Sequence, residues 1–239
     1  MRRRWIAAIC GACVVQALSR REDVCAMGAR ADTTAATERI RRLKDRDAPN
    51  YDRRIGFMER ILFEGGREWV CSQAQGDVLE IAFGTARNLE HYPAGARLTG
   101  IELSPEMYAI AKRRQTELGR EADLRLGDAQ QLEFDDESFD TVVSTLSMCE
   151  IPDYGQAIHE AHRVLRPGGR FLLLEHVRSP SLPVRLGQRL LDPLFVRFQG
   201  DHLLREPLGP LADAGFDVKR LERSKWGIVE RVFARKPQR

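Results

Sequence analysis

From about residue 77 onward, short apolar runs alternate with helix-patterned stretches, and that rhythm leaves few folds open. Val78–Ala82 is apolar except for Glu80, and Arg97–Glu102 carries Leu98 and Ile101 and ends on an acid. Leu124–Leu126 leads into Gly127-Asp128, Thr141–Val143 is β-branched, and Phe171–Leu174 follows Pro167-Gly168-Gly169. Such runs suit central strands of a parallel sheet buried on both faces. Between them, Ser104-Pro105-Glu106 reads as a helix start: a serine cap, proline in the first turn, then an acid. That helix is expected to end at Gly119. Asp153 is placed to cap a second helix carrying Ala157, Ile158, Ala161 and Leu165, which ends before Pro167. The alternation implies an α/β fold with an open, right-handed, doubly wound sheet. The tail breaks the rhythm. Val218–Leu221 and Ile228–Ala234 are separated only by Glu222–Gly227, too short for a crossover helix, so they are expected to pair antiparallel.

A length of 239 residues suits one α/β domain with a full core. The formal net charge is +3, and that whole excess lies in residues 1–26, where Arg2, Arg3, Arg4, Arg20 and Arg21 face Glu22 and Asp23. A neutral body argues against a nucleic-acid partner, which needs clustered Lys and Arg. Residues 1–26 read as a leader. The apolar run Trp5–Leu18 is too short to span a bilayer as a helix. It reads as sequence ahead of a start at Met27, as a membrane-surface anchor or as an export signal. Cys10, Cys13 and Cys25 lie in this leader; Cys10-Gly-Ala-Cys13 has redox-motif spacing but no strand–helix unit around it. With only Cys71 and Cys149 in the body, the chain fits a reducing compartment. A cytoplasmic location, with or without membrane association, is expected. Residues 27–76 are expected to form an N-terminal helical cap with Tyr51, Phe57, Met58, Ile61, Leu62 and Phe63 as anchors. Residues 77–239 would form the core, with a lid at about 177–210.

The stretch Val78–Leu89 predicts a strand, a small-residue turn that lets a ligand approach the backbone, and then a helix. Glu102 lies 22 residues beyond Glu80, at the end of the next strand, where an acid can accept both hydroxyls of a ribose. Asp128 closes the third strand, within reach of an adenine amino group. Singly, each is an ordinary loop acid. Three acids at three adjacent strand ends form a nucleoside-binding pattern.

Residues 77–176 resemble the core of the class I S-adenosyl-L-methionine-dependent methyltransferases. Val78–Ala86 resembles the first motif, Leu98–Ser104 the ribose-binding strand, and Gly127-Asp128-Ala129 with Phe134 the adenine site. Phe139–Val143 resembles the fourth strand, and Arg163–Gly169 the lead into the fifth. The resemblance implies a Rossmann-like, seven-stranded sheet of order 3-2-1-4-5-7-6, S-adenosyl-L-methionine as cosubstrate and no metal. It implies that Glu80 and the turn at Ala82 and Gly84 hold the methionine part, Glu102 with Leu103 the ribose, and Asp128 with Ala129 the adenine. Thr145 and Leu146 would border the reacting end. Tyr51, in Pro49-Asn50-Tyr51-Asp52, resembles the tyrosine that covers the cosubstrate in quinone methyltransferases.

Within the superfamily, Thr145–Glu150 and Leu174–Val177 are similar to quinone methyltransferases and bacterial phospholipid N-methyltransferases. Leu190–Pro193 and Gly200–Arg205 are similar to human thiol methyltransferases. The acceptor class is therefore open among quinol, thiol, amine and phospholipid head group, as is the oligomeric state. The family turn reads Glu-x-Gly-x-Gly-x-Gly, and here Ala82 and Ala86 replace the first and third glycines. Ala86 is expected to start the helix with ordinary negative φ. His176, after the fifth strand, is the first candidate for acceptor binding or proton removal, and His202, beside Arg205, the second. His159 and His162 read as surface or packing residues, and Cys149 as a buried thiol near the fourth strand end. Leu182–Phe198 is amphipathic and reads as packing on its own domain, as a lid over a lipophilic acceptor or as a membrane-facing helix. Two other classes compete. A nicotinamide-dependent oxidoreductase would need Gly-x-Gly-x-x-Gly spacing, and a catalytically silent nucleoside-binding protein would explain the two alanines.

Overall fold

The computed structural model describes the backbone of residues 11–238 and the side chains of residues 33–238. Trp5–Leu18 and Cys10, Cys13 and Cys25 lie outside the described side chains. Two compact units are distinguished, Met1–Glu38 and Arg39–Arg239. The first is represented by helix backbone from Gly11. The second unit holds the sheet and the helices around it.

Helix α1 (Gly11–Leu62) reaches into this unit and is followed by α2 (Gly66–Cys71). Seven strands then form one sheet: β1 (Asp77–Ile81), β2 (Arg97–Glu102), β3 (Asp123–Leu126), β4 (Phe139–Thr145), β5 (Leu165–His176), β6 (Asp217–Ser224) and β7 (Val229–Arg235). Their order is β3-β2-β1-β4-β5-β7-β6. Strands β1 to β5 pair in parallel, and β7 pairs antiparallel with both β5 and β6. The sequence expectation of an α/β, doubly wound sheet with an antiparallel tail is met. Successive β5 side chains alternate between two cores. Phe171 and Leu173 join one with Val142 and Ile158, and Leu172 and Leu174 join the other with Val143 and Val70. Both sheet faces are covered, which is why the central strands are apolar throughout.

Helix α3 (Pro105–Leu118) begins and ends where its caps predict. Ser104 Oγ accepts from Met107 N at 3.2 Å, and Gly119 takes the left-handed conformation at φ 58°. Helix α4 (Tyr154–Val164) is capped by Asp153, which accepts from Gln156 N at 2.9 Å. The remaining helices are α5 (Leu182–Phe198) and α6 (Leu208–Asp213).

The helix expected after Ala86 does not form. Between β1 and β2 the chain makes turns and a single 3-10 turn, Leu89–His91. Ala86 is left-handed, and Pro93 holds Tyr92 extended at ψ 142°. The five residues between them are too few to nucleate an α-helix. Helix α5 packs on its own domain through buried Gln188 and half-buried Val184, Phe195 and Val196, and leaves Leu182, Leu186, Leu190, Leu191, Leu194 and Phe198 exposed.

Candidate functional site

The sheet's order reverses between β1 and β4, and ligands in open α/β sheets bind outside the strand ends at such a point. A cleft opens there. Ala82, Gly84, Glu102, Leu103, Asp128, Ala129, Thr145 and Leu146 line it, and Ile40, Lys44 and Tyr51 of α1 face it. It holds about 780 Å³ of space when its open mouth is counted. Polar contacts dock α1 over the strand ends. Ser104 Oγ donates to Asp45 at 2.6 Å, Thr85 Oγ1 donates to Asp52 at 2.6 Å, and Lys44 pairs with Glu150.

The turn after β1 is built from left-handed residues: Ala82 at φ 51°, Gly84 at 59° and Ala86 at 59°. Leu146, after β4, is also left-handed at φ 54°. Non-glycine residues held there concentrate at ligand sites, because the surroundings must over-determine them. The expectation that Ala86 has negative φ is therefore wrong. The residue keeps the glycine conformation of the family turn without the glycine. Replacing Ala86 with Gly should stabilise the fold by about 1 kcal/mol, strain relief exceeding the added chain entropy. Thermal denaturation checks this, and a lower melting temperature would show that Ala86 is unstrained.

Glu102 is buried and oriented by two backbone donors. Gly84 N–H reaches Oε2 at 2.8 Å and Ser104 N–H reaches Oε1 at 2.9 Å. Burial raises its pKa against these two donors. Each oxygen keeps a lone pair for a further donor. Asp128 Oδ1 accepts from Gln130 N at 2.9 Å and likewise faces the cleft. A Cβ built on Gly84 would meet nothing closer than the Tyr51 ring at 4.0 Å. Burial pushes the Tyr51 phenol up to about 12, so it stays protonated at neutral pH.

Three predicted site residues stand outside the cleft lining. Glu80 lies behind the turn, where its oxygens accept from Asn88 Nδ2 at 2.7 Å and Tyr92 Oη at 2.8 Å. It braces the turn. His176 Nε2 lies 2.9 Å from Asp201 Oδ1, forming a half-buried pair beside buried Cys149. His202 lines a separate groove with Tyr154, Asp192 and Arg205. Conversely, Lys44, Arg67, Met107 and Glu150 line the cleft without having been predicted to. Arg67 Nη1 donates to Asn88 Oδ1 and Thr145 Oγ1, both at 2.9 Å. A lone arginine in a short helix carries no motif. Glu150 belongs to the Thr145–Glu150 stretch, whose resemblance to quinone methyltransferases implies no role for it.

Three groups at or near the core make stability depend on pH. Burial lifts Glu80 and Glu175 to about 7. Burial pulls His176 down, but the Asp201, Glu175 and Glu150 carboxylates outweigh it and hold it at about 9. All three bind their proton more tightly folded than unfolded. The carboxyl contribution is complete below 4.5 and fades as pH rises through about 7; the His176 contribution is complete below 6.5 and fades through about 9. The melting temperature should therefore be several degrees lower at pH ~9.5 than at pH ~6. Calorimetric scans giving equal values would contradict this, and His176→Gln should flatten the alkaline half.

Residues 79–173 match the model of a methyltransferase domain family. The chain is 31% identical over 179 residues to a human thiol S-methyltransferase, TMT1A, covering 72% of each chain. It is 36% identical over 118 residues to a phosphatidylethanolamine N-methyltransferase of Cereibacter sphaeroides, covering 48% of this chain and 58% of that one. Among solved structures, a SAM-dependent methyltransferase of Thermotoga maritima superposes with a TM-score of 0.65 at 21% identity. That match covers 82% of this chain and 99% of the other.

Proposed function

The chain belongs to the class I S-adenosylmethionine-dependent methyltransferases, and from that premise we propose that its acceptor is a small, lipophilic nucleophile methylated in the cleft at the ends of β1 to β4. One observation carries this reading. Glu102 and Asp128 stand at adjacent strand ends in one cleft, beside an apolar wall of Ile40, Met107, Leu146, Ile151 and Pro152.

The residues present fit the cosubstrate. Glu102, held by two N–H groups, takes the ribose hydroxyls, with Leu103 beside it. Asp128 and Ala129 take the adenine. The turn at Ala82 and Gly84, faced by Tyr51, takes the methionine part, with Glu80 bracing that turn from behind. When bound, the cosubstrate supplies a sulfonium-activated methyl group. The protein's part is alignment and exclusion of water. Thr145 and Leu146 border the reacting end. An acceptor lone pair attacks the methyl carbon in line as the carbon–sulfur bond breaks, and the bonding pair stays on sulfur.

The acceptor's proton, where it has one, needs a base inside the cleft. His176 and His202 lie outside the lining, and Glu150 lies within it. Burial raises the Glu150 pKa while Lys44 opposes that rise, so the carboxylate is a stronger base than an exposed one. Glu150→Gln should cut turnover about 100-fold with S-adenosylhomocysteine affinity nearly unchanged. Full turnover in that variant would place the base elsewhere. A labelled-methyl screen over thiols, quinols, amines and phospholipids tests the acceptor class. Transfer only to hydrophilic acceptors would overturn it.

The TMT1A and phosphatidylethanolamine methyltransferase names denote different acceptor atoms, which supports the reaction class more than any one substrate. The oxidoreductase reading loses to the family membership. The silent-protein reading rested on Ala82 and Ala86, and both alanines hold the same left-handed turn as Gly84.

A further inference from the structure

Helix α5 carries its apolar face outward. Leu182, Leu186, Leu190, Leu194 and Phe198 recur every four residues, so each lies beside the next and the stripe winds slowly around the helix, by about 40° per step. Each is more than half exposed, Leu190 at 78%. The residue α5 buries is polar: Gln188 accepts from Ser179 N at 2.8 Å and donates to Val177 O and Leu203 O at 2.9 Å. Among the apolar side chains of α5 only Val184, Phe195 and Val196 are half-buried, so most of its apolar surface faces away from the core. A second apolar group stands at the helix start. Trp226, at the β6–β7 hairpin, is 72% exposed. Its carbonyl accepts from Ser179 Oγ at 2.6 Å, and Gly227 lies against Pro180, just ahead of α5.

The charge around this face is predominantly positive. Arg185, Arg189 and Arg197 lie on α5, and Lys225 neighbours Trp226. The acid on α5, Asp192, is occupied by Leu203 N at 2.7 Å, and nearby Glu206 pairs with Arg178.

We propose that α5 and the Trp226 hairpin dock this protein on the surface of an anionic lipid bilayer. The leucine stripe would enter the acyl boundary, with the arginines and Trp226 at headgroup level. Polybasic surfaces gain affinity from anionic lipid, and tryptophan favours that interface. The helix lies along the surface: no described helix is long and apolar enough to cross a membrane. A second copy is the poorer occupant, because a two-fold contact on this face sets arginines against arginines. The inference does not depend on which acceptor is methylated.

The test is co-sedimentation of the full chain with vesicles of phosphatidylcholine alone or mixed with phosphatidylglycerol, together with tryptophan emission. Binding should need the anionic lipid and weaken with salt. Leu190→Asp and Leu194→Asp should each weaken it by about tenfold or more. The emission blue shift should largely vanish in Trp226→Phe. Circular dichroism and S-adenosylhomocysteine affinity should match wild type in all three, confirming that they fold. Three results would overturn the proposal. Variants that bind like wild type would give the attachment to another segment, such as Trp5–Leu18. A dimer that Leu190→Asp dissociates, without vesicle binding, would give this face to a second copy. A monomer that ignores vesicles would leave the face without a lipid partner.

Discussion

Glu102→Ala is expected to weaken S-adenosylhomocysteine binding about 100-fold, because hydrogen bonds to a charged group contribute about 1.5–3 kcal/mol each. The ribose would lose a carboxylate fixed by Gly84 N–H at 2.8 Å and Ser104 N–H at 2.9 Å. Both donors would also lose their partner, one in the cofactor turn and one at the cap of α3. Glu102→Gln separates the two effects. It fills the same space, and its one carbonyl oxygen can accept from Gly84 N–H or Ser104 N–H but not both, so one of the two anchors should hold while affinity falls by a smaller factor. Titration calorimetry measures both variants. Wild-type affinity in Glu102→Ala would remove Glu102 from the ribose site.

Arg67→Leu is expected to cost about 3 kcal/mol of stability, the low end for breaking a buried charge pair. Its guanidinium joins four elements. Nε donates to Glu59 of α1 at 2.5 Å, and Nη1 donates to Asn88 in the turn and Thr145 at the end of β4, from a base on α2. The low end applies because Arg87 keeps a contact with Glu59 at 2.6 Å. For a chain of this size the melting temperature should fall by roughly 6–12 °C. Cosubstrate affinity should fall as well, since Asn88 and Thr145 brace the turn and the reacting end. Thr145→Val, which removes one acceptor and keeps the charge pair, should cost less than half as much. Equal losses in the two variants would show that the hydroxyl, not the ion pair, organises the site.

The parts of this molecule that follow local rules were legible in the sequence. Ser104 and Asp153 cap helices because their side chains meet free N–H groups, and Gly119 ends a helix because it alone takes φ 58° without strain. The apolar β4 and β5 runs announced a sheet covered on both sides. The short link between β6 and β7 announced their antiparallel pairing. Glu102 and Asp128 were legible because strand ends in this topology converge on one edge.

What failed depended on tertiary support. Ala86 carries no sign that it is left-handed, since alanine ordinarily avoids that conformation. The turn imposes it, and with it the loss of the expected helix. Glu80 and His176 sit at strand ends as expected, and their partners Asn88, Tyr92 and Asp201, none of them marked by a motif, hold them outside the cleft lining. Lys44 and Arg67 are placed by helices whose position no local pattern encodes. The amphipathic pattern of α5 was plain, but periodicity gives a stripe without saying whether it faces core or solvent. Gln188 decides that through three hydrogen bonds to distant backbone.

The most direct test of the central claim is calorimetric titration of the purified full chain with S-adenosylhomocysteine. One molecule should bind per chain with micromolar or tighter affinity, about −8 kcal/mol or better, and nicotinamide dinucleotides should give no heat. A chain that takes up no S-adenosylhomocysteine would contradict the assignment of the Glu102 and Asp128 cleft as a methyl-donor site.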